Sequence, residues 1–116
     1  MALAGKYNMT IDQGATLSQQ WTYKDSDGSL VDLTGYTARM QVRQTVPSTS
    51  TILDLTTENG GITLGGAAGT IDLAITATAS EAVAAGEYVY DLELVTGSTV
   101  ERLVMGTFTV RGEVTR

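Results

Sequence analysis

The chain has 116 residues, a length that predicts a single domain. It contains no Cys and no His, which excludes disulfides and thiolate chemistry and removes the commonest general base and transition-metal ligand. Its 7 basic and 13 acidic residues give a net charge of −6, which argues against a nucleic-acid partner. No segment has the apolar length of a signal peptide or a membrane helix, so we expect synthesis in a cytoplasm and no membrane partner.

Apolar and polar residues alternate with a period of two in segment after segment, and turn sequences separate these segments. The pattern predicts an all-β domain. The predicted strands, in chain order, are residues 7–11, 17–23, 36–45, 52–56, 62–64, 70–75, 88–94 and 100–110, with a further short segment at residues 31–33. About seven or eight strands at this spacing favour an antiparallel sandwich or a small barrel. The lack of crossover helices argues against a parallel α/β fold.

Two of these strands have one apolar and one polar face. The predicted inward residues are Ala38, Met40 and Val42 in one strand and Tyr88, Tyr90, Leu92 and Leu94 in the other. On the outward faces, Asp91 and Glu93 lie on one strand and Arg39 and Arg43 on the other. Cross-strand ion pairing is the favoured interpretation of these charges. The alternative is a catalytic carboxylate pair, which would need a cleft and one raised pKa.

A single short helix is predicted over residues 78–85. Thr78 and Glu81 have the spacing of a capping box, and Gly86 can end the helix. At about two turns it would not form alone, and we interpret it as a crossover between sheets.

The phase of the last predicted strand is ambiguous around Gly106. A bulge there would let both Leu103 and Met105, and then Phe108 and Val110, face inward.

Two further motifs have a binding interpretation and a structural one. Residues 25–28, Asp-Ser-Asp-Gly, resemble the start of a calcium loop, but Leu30 and Tyr36 stand where that loop needs Gly and Glu. A polar hairpin turn is favoured, and no metal or cofactor is expected. Tyr88 and Tyr90 could stack on sugars, but a core or tyrosine-corner role is favoured.

Two longer stretches carry a family resemblance. They are Asp32-Leu33-Thr34-Gly35-Tyr36-Thr37-Ala38, followed by Met40-Gln41-Val42-Arg43, and Gly69-Thr70-Ile71, followed by Gly86-Glu87-Tyr88-Val89-Tyr90-Asp91-Leu92-Glu93-Leu94. Together they resemble the small immunoglobulin-like domains of tailed bacteriophages, in particular the N-terminal domain of the baseplate upper protein. The resemblance covers about residues 10 to 110 and implies an immunoglobulin-like β-sandwich in a phage particle.

The functional hypothesis that follows is a non-enzymatic structural protein of a tailed-phage virion, at the tail, baseplate or fibre attachment. A head decoration protein and a carbohydrate-binding module are the alternatives. The partners would be other virion proteins in multiple symmetric copies, with self-association as a further option.

Contacts in such a particle are expected at the ends and edges of the domain. The candidate regions are a short N-terminal arm, a Ser/Thr-rich loop over residues 44–51 and a C-terminal tail over residues 111–116. The candidate interface residues are Met1, Ala2, Leu3, Ala4, Gly5 and Lys6 of the arm, Val46, Pro47, Ser48 and Thr49 of the loop, and Arg111, Glu113 and Arg116 of the tail.

Overall fold

Alternating buried and exposed residues build nine strands in a computed structural model that describes residues 5–112 and 114. The strands are β1 (Gly5–Lys6), β2 (Met9–Asp12), β3 (Leu17–Thr22), β4 (Thr37–Arg43), β5 (Leu53–Thr56), β6 (Ile62–Leu64), β7 (Thr70–Ile75), β8 (Gly86–Thr96) and β9 (Thr99–Arg111). A 3-10 turn at Gly66–Ala68 joins β6 to β7, and the helix α1 (Ala77–Glu81) joins β7 to β8.

The strands form two sheets. The larger sheet has the order β1-β9-β8-β4-β5, with β2 also paired to β9, and the smaller sheet has the order β3-β7-β6. The orders β9-β8-β4 and β3-β7-β6 match the strand orders G-F-C and B-E-D in the two sheets of the immunoglobulin fold. The predicted all-β sandwich is therefore confirmed, and α1 crosses between the sheets as expected.

The N-terminal strand differs from the predicted one in direction and continuity. It is divided into β1 and β2 at Tyr7 and Asn8, and both parts pair with β9 in parallel, whereas the other ladders are antiparallel. The division raises the strand count above the expected seven or eight. Residues 31–33 form no strand, although Leu33 is buried and Leu30 makes an isolated bridge with Lys24.

The core lies between the two sheets and follows the predicted alternation. Ala38, Met40 and Val42 of β4 are buried, as are the predicted inward residues of β8. Trp21 of β3 packs into the same core, and its ring meets that of Tyr7 edge-on at 5.5 Å between centroids. The smaller sheet also contributes Ile62, Ile71, Leu73 and Ile75.

The predicted bulge in the last strand is displaced from Gly106 to Leu103. The β8–β9 register shifts between Leu92, opposite Val104, and Glu93, opposite Arg102, which leaves Leu103 as the extra residue. Leu103 and Val104 are both buried, while Met105 is 46% exposed, so the inward orientation predicted for Met105 is wrong. Gly106 is in regular register opposite Tyr90.

The helix is shorter than predicted and is capped by a different residue. Thr76 Oγ1 accepts a hydrogen bond from the Ala79 N–H at 3.1 Å, so the predicted Thr78 cap is wrong. Thr76 directly follows β7 with extended backbone, so the helix begins as the strand ends. It ends at Glu81 with Ala82 as its C-cap, and Val83, just beyond the helix, is buried in the core. In the part of the chain described, no helix has the length and apolar character needed to cross a membrane.

Candidate interaction surface

The predicted polar turn at residues 25–28 is confirmed. Asp25 Oδ1 accepts hydrogen bonds from the N–H groups of Asp27 and Ser29, at 2.9 and 3.0 Å. Gly28 adopts a φ of 84°, which a side chain would disfavour. The Asp25 carboxylate therefore stabilises its own turn. Among the residues that the structure describes, no group of three or more carboxylates is placed to hold a metal ion.

The outward charges of the larger sheet form cross-strand pairs, but only one pair is as predicted. Arg39 lies opposite Glu93, and its Nε is 2.8 Å from Glu93 Oε1. Asp91 instead lies 3.5 Å from Nε of Arg102 on β9. The expected role of Arg43 as an ion-pair partner is wrong, because the register places it opposite Val89 rather than Asp91.

Arg43 fastens the neighbouring loop to the sheet. Its Nη1 donates to the carbonyl oxygen of Ser48 at 2.7 Å, and its Nη2 donates to Gln41 Oε1 at 2.7 Å. A Ser48 N–H to Thr45 carbonyl bond closes a turn through Pro47. The loop thus presents Val46 beside the sheet with 81% of its surface exposed.

A concavity of about 540 Å³ lies on this outer face, across β1, β4, β8, β9 and the loop. It brings together two residues predicted separately as interface residues, Lys6 from the arm and Val46 from the loop. Val46, Val89 and Met105 form its apolar part. Its polar and charged lining is Lys6, Gln41, Arg43, Asp91, Glu93, Arg102 and Thr107. We call these residues the outer-face concavity. Sequence reasoning missed Met105 because it placed the bulge at Gly106, which turned Met105 inward.

Charge on the outer face of the larger sheet is balanced. By register, its basic residues are Lys6, Arg39, Arg43, Arg102 and Arg111, and its acidic residues are Asp12, Asp54, Glu87, Asp91 and Glu93. The chain's net charge of −6 therefore comes from residues elsewhere. Because its charges balance, an acidic neighbour can approach this face without net electrostatic repulsion from it.

The other predicted interface residues that the structure describes do not line the concavity, and the rest lie outside the described residues. Gly5 is paired to β9 within the chain, opposite Val104. Arg111 belongs to β9 rather than to a tail, and its Nε is 2.7 Å from Asp12 Oδ1. Pro47 and Thr49 are exposed in the loop, and Ser48 is partly buried. The predicted residues Met1, Ala2, Leu3, Ala4, Glu113 and Arg116 lie outside the described residues.

The tyrosines of β8 have the predicted core role. Tyr88 and Tyr90 are buried, which removes them as a stacking platform for sugars. The Tyr88 hydroxyl donates to the carbonyl of Ala84 at 2.6 Å, four residues upstream, in the manner of a tyrosine corner. The Tyr90 hydroxyl donates to the carbonyl of Tyr7. Burial, and secondarily Tyr7, raise the pKa of Tyr90 well above its usual value.

No protein-family model matches the chain, and no curated protein matches it in sequence.

Proposed function

We propose that the chain is a non-enzymatic structural subunit of a tailed-phage virion, acting at the tail, baseplate or fibre attachment. Its partners are other virion proteins present in repeated copies, so that weak contacts add up to stable attachment. The observation that carries the binding role is the outer-face concavity, where exposed apolar side chains lie inside a rim of both charges. The assignment to a phage particle comes from the motif resemblance.

The motifs behind the resemblance have structural roles here. Asp32 Oδ1 accepts hydrogen bonds from both the N–H and the hydroxyl of Thr34, at 2.9 and 2.6 Å. Gly35 follows with a φ of 85°, and Leu33 anchors the turn in the core. This turn sets the start of β4, and hence where Arg39 and Arg43 reach the outer face. The motif therefore supports the proposal through the fold that it builds.

Carboxylates of the strands and turns, including the Asp91 and Glu93 pair considered for catalysis, have structural partners instead. Asp91 and Glu93 are paired with arginines on neighbouring strands. Asp25 and Asp32 accept hydrogen bonds within their own turns. Such groups hold strands and turns in place, which favours a building role over an enzymatic one.

The composition of the concavity fits a protein partner. Protein interfaces are enriched in Met and Arg, with an apolar centre and a polar rim. Met105 and Val46 supply the exposed apolar area, and Arg43 and Arg102 flank it. Two hydrogen bonds already order the Arg43 side chain, so it loses little further conformational freedom when a partner binds.

Mass spectrometry of purified particles, from a phage whose genome encodes this chain, tests the proposal directly. We expect stoichiometric copies of the chain, and a cryo-EM map should locate them at the tail, baseplate or fibre attachment. Finding none in the particles would overturn the virion assignment. Finding them on the capsid surface would move the role to head decoration.

A pair of variants tests the concavity itself. Val46→Glu combined with Met105→Glu should lower incorporation into particles, because it places two carboxylates in the apolar centre. Val100→Glu is the matched control, since Val100 is 49% exposed but does not line the concavity. Unchanged incorporation of the double variant would remove this surface from the proposal. Specific, saturable binding on a glycan array would favour a carbohydrate-binding role instead.

A further inference from the structure

One edge of the smaller sheet has unpaired backbone groups along the whole length of β3. Tyr23 donates its N–H to Gly69 on the β7 side, and the register alternates from that pair. In an antiparallel ladder every second residue points its N–H and C=O away from the partner strand. In β3 these residues are Ser18, Gln20 and Thr22. Within the described part of the chain, the outward N–H and C=O groups of these three residues have no hydrogen-bond partner.

The other sheet edges are blocked, short or interrupted. The carboxamide of Asn59 covers β5 by donating to the Asp54 carbonyl and accepting from the Thr56 N–H, both at 2.9 Å. The edge strand β6 has only three residues. The β1–β2 edge is interrupted between Lys6 and Met9. These are the means by which proteins limit edge pairing, and β3 has none of them.

The sequence around β3 is also free of charge. Residues 13–23 contain no acidic or basic side chain, although the chain carries a net charge of −6. Gln20 sits at the centre of the three outward-pointing residues, and its amide nitrogen donates to Asp72 Oδ1 at 2.7 Å. A strand that is uncharged and six residues long can pair with a copy of itself without placing like charges opposite one another.

We propose that β3 pairs antiparallel with β3 of a second copy of this chain, centred on Gln20. Ser18 then lies opposite Thr22 of the second copy, and Gln20 lies opposite its own equivalent. The three outward residues of each chain supply about six backbone hydrogen bonds across the two-fold axis.

The same register also avoids repulsion between like charges further from the two-fold axis. Lys24 falls opposite Thr16 of the second copy. The two Asp72 carboxylates are three strand spacings apart, roughly 14 Å, which exceeds the Debye length at physiological salt. The result is a continuous six-stranded sheet running across both copies. This inference does not depend on the virion proposal, because it rests on the backbone and charge of β3 alone.

The first test measures mass and amide hydrogen exchange over a wide range of protein concentration. We expect the apparent mass to rise towards twice that of the chain. The amides of Ser18, Gln20 and Thr22 should become protected in parallel. The amides of Gln19 and Trp21 bond to β7 and should be protected at every concentration, which makes them an internal control.

Two variants of the central residue separate β3 pairing from other association. Gln20→Lys places like charges opposite each other at the two-fold axis and keeps a partner in Asp72, so it should weaken association several-fold. Ala74→Lys is the matched control, because it adds the same charge to the same exposed face on the central strand β7. Gln20→Pro removes an outward N–H and should abolish pairing. Circular dichroism verifies that each variant folds. If the Gln20→Pro variant does not fold, the Gln20→Lys variant and its control provide the test.

Three outcomes would overturn the proposal. The first is a wild-type chain that stays monomeric at every concentration. The second is a dimer in which the three outward amides exchange as fast as unprotected ones. The third is protection of these amides only after assembly into particles, which would assign the edge to a strand of another protein.

Discussion

The hydroxyl of Tyr90 on β8 donates a hydrogen bond to the backbone carbonyl of Tyr7, in the interval between β1 and β2. The contact passes over Gly106 of the intervening strand β9, which lies opposite Tyr90. A Cβ on Gly106 would overlap the Tyr7 carbonyl oxygen. Residues from β8, β9 and the N-terminal strand thus share one small volume, and this contact fixes where β1 lies beside the outer-face concavity.

Tyr90→Phe should lower the free energy of unfolding by about 1–3 kcal/mol, because it leaves the Tyr7 carbonyl without its buried donor. Chemical denaturation followed by the fluorescence of Trp21, the only Trp in the chain, measures the change. Tyr36→Phe is the control, since the Tyr36 hydroxyl has no hydrogen bond among the described residues, and we expect a change within about 0.5 kcal/mol. Equal effects of the two variants would contradict the structural role of the Tyr90 hydroxyl.

Gly106→Ala should displace β1 from β9. The added methyl group cannot occupy the space of the Tyr7 carbonyl, and overpacking of this kind costs about 1–3 kcal/mol. Local detachment would appear as faster exchange of the Tyr7 amide, which donates to the Met105 carbonyl at 2.9 Å. Gly112→Ala is the control, because its Cβ would meet Ala85 at an ordinary contact distance of 3.6 Å. Slow exchange of the Tyr7 amide in the Gly106 variant would refute the close approach.

These two residues show where sequence reasoning succeeds and where it fails. The alternation over Tyr88 to Leu94 predicts β8 and its buried face correctly, because a period of two depends only on the strand itself. The reason for glycine at position 106 lies about 100 positions away in the sequence, at Tyr7. A local sequence pattern carries no signal for such a contact. The expected bulge explained Gly106 from its neighbours in the sequence, whereas the close approach of Tyr7 is what requires a glycine there.

The surface residues show the same contrast between local patterns, which can be predicted from the sequence, and tertiary contacts, which cannot. Arg39 and Glu93 could be paired from their outward phase on two predicted strands. Asp91 could not be matched to Arg102, since that pair depends on the bulge at Leu103. The concavity itself needs the β1–β9 parallel pairing that brings Lys6 beside Met105. Parallel pairing of strands so far apart leaves no trace in residue periodicity.

Stability should fall at alkaline pH through Tyr23 and Tyr90. Burial, then the hydrogen bond to Glu101 and its charge, raise the pKa of Tyr23 from 10.0 to about 12. The pKa of Tyr90 is raised further, chiefly by burial. The unfolded chain therefore loses these protons first, so stability is complete below about pH 10 and is lost as the pH rises towards the folded pKa values.

Urea denaturation at a series of alkaline pH values measures this loss. Tyr23→Phe should show a shallower decline than the wild type, because one of the two groups no longer titrates. Glu101→Gln should lower the pKa of Tyr23 while leaving it above 10.0, since burial is the larger cause. An ultraviolet titration of the phenolates in which Tyr23 ionises at its ordinary pKa would contradict the burial argument.

Asn59→Ala should both destabilise the domain and expose the β5 edge. The Asn59 carboxamide satisfies the Thr56 and Gly61 N–H groups and the Asp54 carbonyl, each at 2.9 Å. Losing it should cost about 1–3 kcal/mol in unfolding free energy and speed exchange of the Thr56 amide. Glu58→Ala, an exposed neighbour, should change stability by no more than about 0.5 kcal/mol.

The same variant separates the two sheet edges. With β5 uncovered, the chain gains a second edge for strand pairing, so Asn59→Ala should raise the apparent mass beyond that of the wild type at equal concentration. Combining it with Gln20→Lys should suppress association through β3 and leave association through β5. If the combined variant is monomeric, the Asn59 carboxamide does not act as a barrier to pairing, and its role is confined to stabilising the turn after β5.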